Sequence, residues 1–196
     1  MRPIVARELL LKYSIRLNKY EYRVDLPLQC PSHADILRSA AEVSDTMYSV
    51  DFGRYQGEWL SFATNDPTIP NGGICLCDRF AWTYNERERS FQSKLNIKCS
   101  QLGTFQMDLH GHTNVTGIPG TISEGSPAFG ADYIPGYVLW VDDEYYNSTI
   151  RYFCTEDYLG VPVFSSLQIW SREPIKRNSD EGRRLLDAAH RVLPIP

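Results

Sequence analysis

The sequence predicts an all-β protein: an eight-stranded antiparallel up-and-down β-barrel, shaped as a calyx, with a C-terminal α-helix and an N-terminal extension. Between residues 57 and 171, short runs rich in aromatic and β-branched residues are separated by clusters of Gly, Pro, Asn and Asp, which is typical of successive strands and turns. Three successive runs alternate apolar and polar residues, as a sheet with one dry and one solvated face requires. Closing such a sheet removes its edges, and an eight-stranded barrel can hold one small ligand.

The first part of the chain differs from the rest. We therefore divide the chain into residues 1–47, an N-terminal extension with a lead-in, and residues 48–196, the barrel with its C-terminal helix. Residues 1–29 form the extension proper, which is basic and aromatic. Within it, the pattern of residues 4–20 fits either a helix or a loose arm. A short helix is predicted over residues 32–41.

The apolar positions of three runs define the inward face of the predicted barrel. In residues 74–84 the even positions are mostly apolar, and in residues 91–99 and 104–110 the odd positions are apolar. A cavity lined by such side chains, with few polar groups, suits a small hydrophobic molecule. The predicted ligand-binding residues lie on this face, with one tyrosine from a later strand: Leu76, Phe80, Trp82, Tyr84, Leu95, Ile97, Phe105, Met107, Leu109 and Tyr152.

The segment after Pro174 changes to a helical period. It opens with Ser179, carries acidic residues in its first turn and places Leu185 and Leu186 near helical spacing with Val192. We predict one helix here, which ends before the next proline.

Composition narrows the classes of partner. Apolar residues make up 42% and charged residues 22% of the 196 residues, and the formal net charge is −4. There is no broad basic field for phosphate backbones, so nucleic acid is not an expected partner. No run of 18 apolar residues occurs, so no transmembrane segment is expected. The first residues also lack the continuous apolar core of a signal peptide.

Cysteines and glycosylation sequons indicate an oxidising compartment, so we expect a secreted or lumenal glycoprotein with disulfide bonds. The chain has five cysteines, and its two sequons begin at Asn114 and Asn147. The cysteine spacing fits no zinc pattern. His110 and His112 share one face of a strand, but no third ligand is evident, so we expect no metal site and no cofactor.

Three separated signatures occur in order along the chain: Gly57-x-Trp59 on the first barrel strand, the segment "YVLWVDDEYYNSTIRYFC", and the late strand "LQIWSREP" followed by a helix. Together they resemble the lipocalin family, in the branch that contains apolipoprotein D and insect bilin-binding proteins. The resemblance covers residues 48–193. The chain departs from the family pattern at Leu60, where an aromatic residue is usual, and at residues 141–143, where Thr-Asp-Tyr is typical.

The resemblance implies roles for five residues. In lipocalins the tryptophan closes the narrow end of the barrel and the late arginine lies across it, so Gly57, Trp59 and Arg172 are expected to form the barrel floor. A guanidinium over an indole face gains cation–π energy. The family's link from the N-terminal arm to a late strand implies a disulfide between Cys30 and Cys154.

The three other cysteines leave two pairings open. A symmetric hairpin around residues 85–90 brings Cys77 near Cys99, but pairing the apolar faces sets Phe80 opposite Ile97, so this bridge needs a bulge. A bridge between Cys75 and Cys99 fits equally well. Either choice leaves one thiol over.

The lipocalin resemblance implies binding and transport or storage of a small hydrophobic ligand, held without a covalent bond: a fatty acid, retinoid or carotenoid, bilin, or sterol. A second interpretation is an accessory subunit of a larger complex, membrane-bound or pigment–protein, docked to a protein partner through residues 1–29. A third is an enzyme of the isomerase or de-epoxidase kind on the same fold. The candidate catalytic residues would be Cys99, Asp78, Tyr84 and Asp108. They form no matched acid–base pair, so we favour binding over catalysis.

Overall fold

The computed structural model describes residues 14–17, 20–23, 30–43, 50–64, 75–99, 103–126, 133–142, 144–156, 159–160, 162–176 and 178–192. Of the predicted extension and lead-in, residues 1–13, 18–19, 24–29 and 44–47 lie outside the described residues. Within the described parts, no helix is both long and apolar enough to cross a membrane.

The chain forms ten strands and three α-helices in its described parts. Two short strands come first, then two helices, the eight barrel strands and the last helix. Their bounds are β1 Ser14–Leu17, β2 Tyr20–Arg23, α1 His33–Val43, α2 Phe52–Tyr55, β3 Gly57–Thr64, β4 Cys75–Asn85, β5 Ser90–Cys99, β6 Gly103–Thr113, β7 Thr121–Gly125, β8 Ile134–Val141, β9 Ser148–Glu156, β10 Pro162–Ser171 and α3 Asp180–Val192.

Strands β3 to β10 form a closed antiparallel barrel in which each strand pairs with its neighbour in sequence and β10 pairs with β3. This confirms the predicted up-and-down topology. Strand direction alternates, so the hairpins after β4, β6 and β8 lie at the same end as α2, and we call this the closed end. Strands β3, β5, β7 and β9 finish at the opposite end, which we call the open end.

Residues 14–17 and 20–23 of the predicted extension form two antiparallel strands, in which Ser14 pairs with Arg23 and Leu17 with Tyr20. This corrects the expectation of a helix or a loose arm for that stretch. The structure gives strand pairing there because tyrosine and β-branched residues favour extended backbone. The predicted helix over 32–41 is observed as α1, whose start is capped by the Ser32 hydroxyl accepting from the Asp35 N–H at 3.2 Å.

An outer layer joins the C-terminal helix to the outside of the barrel. The Ser179 hydroxyl caps α3 by accepting from the Gly182 N–H at 3.1 Å, as the sequence predicts for this helix. Its apolar side packs against α1 and against the outward side chains of β3, β8, β9 and β10. The outer layer consists of Ile36, Phe62, Ala63, Leu139, Ile150, Tyr152, Cys154, Leu167, Ile169, Leu185, Leu186, Ala188, Ala189 and Val192.

An inner layer fills the barrel. It is rich in aromatic residues and includes Trp59, Phe80, Trp82 and Trp170, each no more than 2% exposed. The core is therefore split by the barrel wall, with one part inside the barrel and one part between the barrel and its helices.

Strand β4 breaks the alternation that the sequence predicted for residues 74–84. A register shift between Cys77 and Arg79 pairs Phe80 with Leu95, not with Ile97, so the predicted pairing was wrong. Above the shift, Leu76 pairs with Lys98, which is exposed. A bulge places an extra residue in one strand, so positions on its two sides no longer share one phase. The side chains of residues 75–78 lie outside the described part, and the assignment of Leu76 to the ligand site stays a prediction.

Tyr152 lies in the outer layer, which corrects its placement among the inward ligand-binding residues. In β9 the inward positions are Thr149, Arg151 and Phe153, while Ile150 and Tyr152 face the layer under α3. The sequence suggested the opposite because the inward face of this strand carries a polar and a charged residue. A helix covers the outward face, which is therefore apolar.

A disulfide joins Cys30 to Cys154, with the Cα atoms 5.6 Å apart. It ties the lead-in segment to β9. Cys99 is also disulfide-bonded, and its Cα partner across the hairpin is Cys75. The side chains of Cys75 and Cys77 lie outside the described part, so the Cys77–Cys99 bridge stays a prediction, and the register favours Cys75.

Candidate ligand site

The closed end is sealed by Arg172, whose guanidinium carbon lies 3.7 Å from the centroid of the Trp59 ring. Arg172 Nη1 donates to the Glu58 carbonyl at 2.7 Å, and Nη2 donates to the Gln56 carbonyl at 2.6 Å. Burial lowers the pKa of Arg172, but the cation–π contact and the carbonyl oxygens favour its charged form. The donors of this arginine are therefore engaged in closing the barrel.

Gly57 allows Arg172 to lie across the floor. Its φ of +100° suits glycine, and a Cβ atom there would lie 3.1 Å from Arg172 Nη1. Trp59 is fully buried and donates its indole N–H to the Tyr55 carbonyl at 2.9 Å. The structure thus places Gly57, Trp59 and Arg172 together at the floor.

An aromatic layer fills the lower half of the barrel, by which we mean the half next to the floor. Phe80 packs edge-on against Trp170 with centroids 4.6 Å apart, and Trp82 stacks on Phe91 at 3.7 Å. Tyr84 lies lower still, 5.8 Å from the Phe52 ring. Phe80, Trp82 and Tyr84 were predicted to bind ligand because they face inward, and they do belong to the inner layer. Phe80 and Trp82 are each only 2% exposed, and Tyr84 lies at the closed end.

Three polar residues lie among these rings inside the barrel, and we call them the polar belt: Ser93, Glu124 and Arg151. Arg151 Nη2 contacts Glu124 Oε2 at 2.5 Å, and the Ser93 hydroxyl donates to Glu124 Oε1 at 3.2 Å. The two charged side chains are only 2% and 11% exposed. They connect strands β5, β7 and β9 across the interior. A buried carboxylate and guanidinium compensate each other only when paired in this way.

The Arg151 guanidinium is also surrounded by aromatic rings. Its carbon lies 4.7 Å from the centroid of Phe153, 5.1 Å from that of Phe80 and 5.5 Å from that of Trp82. Sequence reasoning missed the belt entirely. The available signal was one charged residue in each of two otherwise uncharged stretches, "TISEG" and "STIRYFC".

The upper half of the barrel, between the polar belt and the open end, has apolar side chains that the protein covers only in part. The register pairs Ile97 with Phe105, Leu95 with Met107 and Ser93 with Leu109 along β5 and β6. Ile97 is buried; Leu95, Met107 and Leu109 are half-buried; Phe105 is 43% exposed. These residues were predicted to bind ligand, and the structure brings them together on the inner wall.

Next to this group, the barrel wall formed by strand β7 is short and does not extend along the whole of β6. Strand β7 pairs with β6 only from His110 to Thr113, so no described strand borders residues 103–109 on that side. The exposure of Phe105 and its neighbours follows from this short pairing. Apolar side chains on an inward face that remain accessible to solvent are the usual lining of a ligand site.

The side chains considered for metal binding or catalysis do not form such a site in the described part. His110 and His112 instead pack against the Tyr133 ring, at 5.4 and 5.6 Å between centroids. No group of three metal-ligating side chains occurs among the described residues. Cys99 is disulfide-bonded, and Asp108 is exposed opposite Lys94, so neither is placed for nucleophilic or acid–base work.

Comparison with known proteins supports the fold. No family model and no curated protein matches the sequence. Among solved structures, lobster apocrustacyanin A1 matches at 20% identity and a TM-score of 0.60, over 87% of this chain and 85% of that one. Apocrustacyanin C1 matches at 19% identity and a TM-score of 0.61 over the same shares, 87% and 85%. Insecticyanin from the tobacco hornworm Manduca sexta matches at 14% identity and a TM-score of 0.52, over 73% of each chain.

The closed eight-stranded barrel, the trailing helix and these structural neighbours define the class of the protein. This chain has the lipocalin fold.

Proposed function

We propose that the protein binds a small hydrophobic molecule in the upper half of its barrel and serves to carry or store it. The observation that carries this proposal is the set of inward apolar side chains that protein atoms leave accessible, from half-buried Leu95 and Met107 to Phe105 at 43% exposure. Moving apolar ligand surface from water onto these side chains contributes roughly 25 cal/mol per Å² buried. The lipocalin resemblance of the sequence supports the same function.

The ligand is held without a covalent bond in this proposal, and fatty acids, retinoids or carotenoids, bilins and sterols are the candidate classes. The filled lower half limits how deep such a molecule enters. It lies between the polar belt and the open end, against the walls formed by β5 and β6.

Displacement of a fluorescent apolar probe, 1-aminoanthracene, tests the proposal. We expect the full-length protein to bind the probe, and Met107→Asn to weaken binding at least tenfold because a polar amide replaces part of the apolar wall. Val163→Asn is the matched control, since Val163 is 64% exposed near the open end and is not on the inner wall. If the wild-type protein fails to bind the probe, or both variants bind it equally, the proposal is wrong.

Docking of a protein partner through residues 1–29 is a second candidate role. It is supported by the basic, aromatic composition of this segment, part of which forms the paired strands β1 and β2. Deleting residues 1–29 should abolish assembly with the partner in native extracts while the barrel stays folded. Migration of the full-length protein as a monomer in the same extracts contradicts this role.

We also propose that the protein is secreted or lumenal and glycosylated. The Cys30–Cys154 disulfide is typical of an oxidising compartment. Asn147 is exposed in the turn before β9, and Asn114 is half-buried after β6. Glycosidase treatment of protein from its own source should lower its mass, more through Asn147 than through Asn114. An unchanged mass contradicts the glycosylation.

A further inference from the structure

We propose that the polar belt is the inner end of the ligand site and binds an uncharged carbonyl oxygen, that of a ketone or aldehyde, on an otherwise hydrophobic ligand. This inference rests on the function proposed above. Beyond that function, it specifies which end of the ligand enters the barrel first and which chemical class of ligand the barrel selects.

Two buried donors next to the belt have no hydrogen-bond partner in the protein: Arg151 Nε and Trp82 Nε1. Both residues face inward and are 2% exposed. The Arg151 guanidinium carbon lies 5.5 Å from the centroid of the Trp82 ring, so the two donors belong to one region. Buried donors in folded proteins almost always have a partner. Two in one place indicate a region built to receive an acceptor.

The other buried indoles of the same barrel make the contrast clear. Trp59 donates to the Tyr55 carbonyl at 2.9 Å, and Trp170 donates to the Gln168 side-chain oxygen at 3.2 Å. Trp82 is the one of these three whose N–H has no partner. The rings around Arg151 attract its charge but offer no lone pair to its Nε–H.

The charge balance of the belt decides between acceptors. Glu124 already neutralises Arg151, at 2.5 Å. A ligand carboxylate would add a second negative charge beside Glu124 in a poorly solvated interior, which is strongly unfavourable. A hydroxyl oxygen would bring a proton that needs an acceptor of its own. A carbonyl oxygen is neutral, and its two lone pairs suit two donors.

The belt also fixes the direction of the ligand. With the oxygen at Arg151 and Trp82, the apolar remainder of the molecule extends past Leu95 and Met107 towards Phe105 at the open end. Both donors are enclosed by neighbouring side chains. Entry of the oxygen therefore shifts the half-buried side chains above the belt, and side-chain changes of this kind are common on binding.

Four ligands that share one chain test the selectivity: dodecan-2-one, dodecan-2-ol, dodecanoate and dodecane, each used to displace 1-aminoanthracene from the full-length protein. We expect the ketone to bind at least tenfold more tightly than dodecanoate, a difference of about 1.4 kcal/mol. Tighter binding of dodecanoate than of the ketone overturns the inference. If none of the four displaces the probe, the proposed function itself fails.

The ketone-to-alkane affinity ratio in variants tests the two donors directly. Trp82→Phe keeps an aromatic ring and removes one donor, so the ratio should fall at least fivefold. Trp140→Phe is the matched control, because Trp140 packs against the outer layer, and its ratio should stay as in the wild type. The double variant Arg151→Met with Glu124→Leu removes both charges together and should lose the ketone preference. Circular dichroism checks that each variant is folded.

A spectroscopic readout separates hydrogen bonding from packing. The infrared carbonyl band of isotope-labelled dodecan-2-one should lie at lower frequency when bound to the wild type than when bound to Trp82→Phe. A wild-type band at the frequency found in hydrocarbon solvent contradicts the inference. An unchanged ketone-to-alkane affinity ratio in both Trp82→Phe and the double variant also contradicts the inference. In that case buried water or the ring faces are the partners of these donors.

Discussion

The lower and upper halves of the barrel interior share the same inward alternation of side chains, yet they differ in packing. In the lower half, Trp59, Phe80 and Trp82 are at most 2% exposed and pack against one another. In the upper half, Met107 is half-buried and Phe105 is 43% exposed. The difference teaches that alternation determines which face a side chain takes, whereas the side chains packed around it determine whether it serves stability or binding.

The largest effect is expected at the boundary between the halves. Arg151→Met leaves Glu124 buried without its partner, which should cost about 3–5 kcal/mol of unfolding free energy. Adding Glu124→Leu removes the unpaired charge and should restore most of the loss. Urea unfolding of both variants and the wild type measures this. Equal stability of the single and double variants would contradict a charge-balanced belt.

A pair of truncations contrasts the halves directly. Trp59→Ala should destabilise the protein by about 3–5 kcal/mol, because it leaves a cavity and strips the partner from Arg172. Met107→Ala should cost about 1 kcal/mol or less, since its side chain is already partly solvated. Chemical denaturation gives both values, and probe displacement should show the opposite order, with affinity lost mainly in Met107→Ala. If Trp59→Ala lowers the affinity for the probe more than Met107→Ala does, under conditions in which both variants are folded, the division into halves is wrong.

The outer layer offers a test by pH. Burial raises the pKa of Tyr152 to about 12, above its ordinary value of 10.0. The folded state thus holds this proton more tightly than the unfolded chain does. The associated stability is complete below pH 10 and is lost as the pH rises towards 12, on the order of 2 kcal/mol. Urea unfolding at pH 9 and near pH 11.5 should show a smaller loss in Tyr152→Phe than in the wild type. Equal losses contradict the burial of the Tyr152 hydroxyl.

A smaller effect than those at Trp59 and Arg151 is expected at the floor glycine. Gly57→Ala forces a side chain into a φ of +100° and against Arg172, which should cost about 1–2 kcal/mol. Thermal unfolding measures the loss, and Gly103→Ala is a control with positive φ whose Cβ would have no atom of the described residues within 4 Å. A larger loss in the control would show that backbone strain, not the Arg172 contact, dominates.

The fold was predictable because its signals are local. Alternation in β5 and β6, turn residues between strands and the capped helix after Ser179 each follow from short stretches of sequence. The floor was also foreseen, through the lipocalin resemblance that places Arg172 over Trp59.

The site was predictable only in part, because two of its features depend on distant contacts. The outward face of β9 is apolar only because α3 covers it, so Tyr152 was assigned to the wrong side. Arg151 and Glu124 lie 27 positions apart in sequence and become acceptable inside the barrel only as a pair. Local alternation also gives no depth, so Phe80 and Trp82 could not be told from Leu95 and Met107.

Methyl-resolved NMR during titration with dodecan-2-one tests most directly the claim that the ligand lies between the polar belt and the open end. We predict that the methyl signals of Leu95, Ile97, Met107 and Leu109 shift most. The outer-layer methyls of Leu167 and Leu185 should remain unchanged. Largest shifts at Leu167 and Leu185, with none at Met107, would contradict the account.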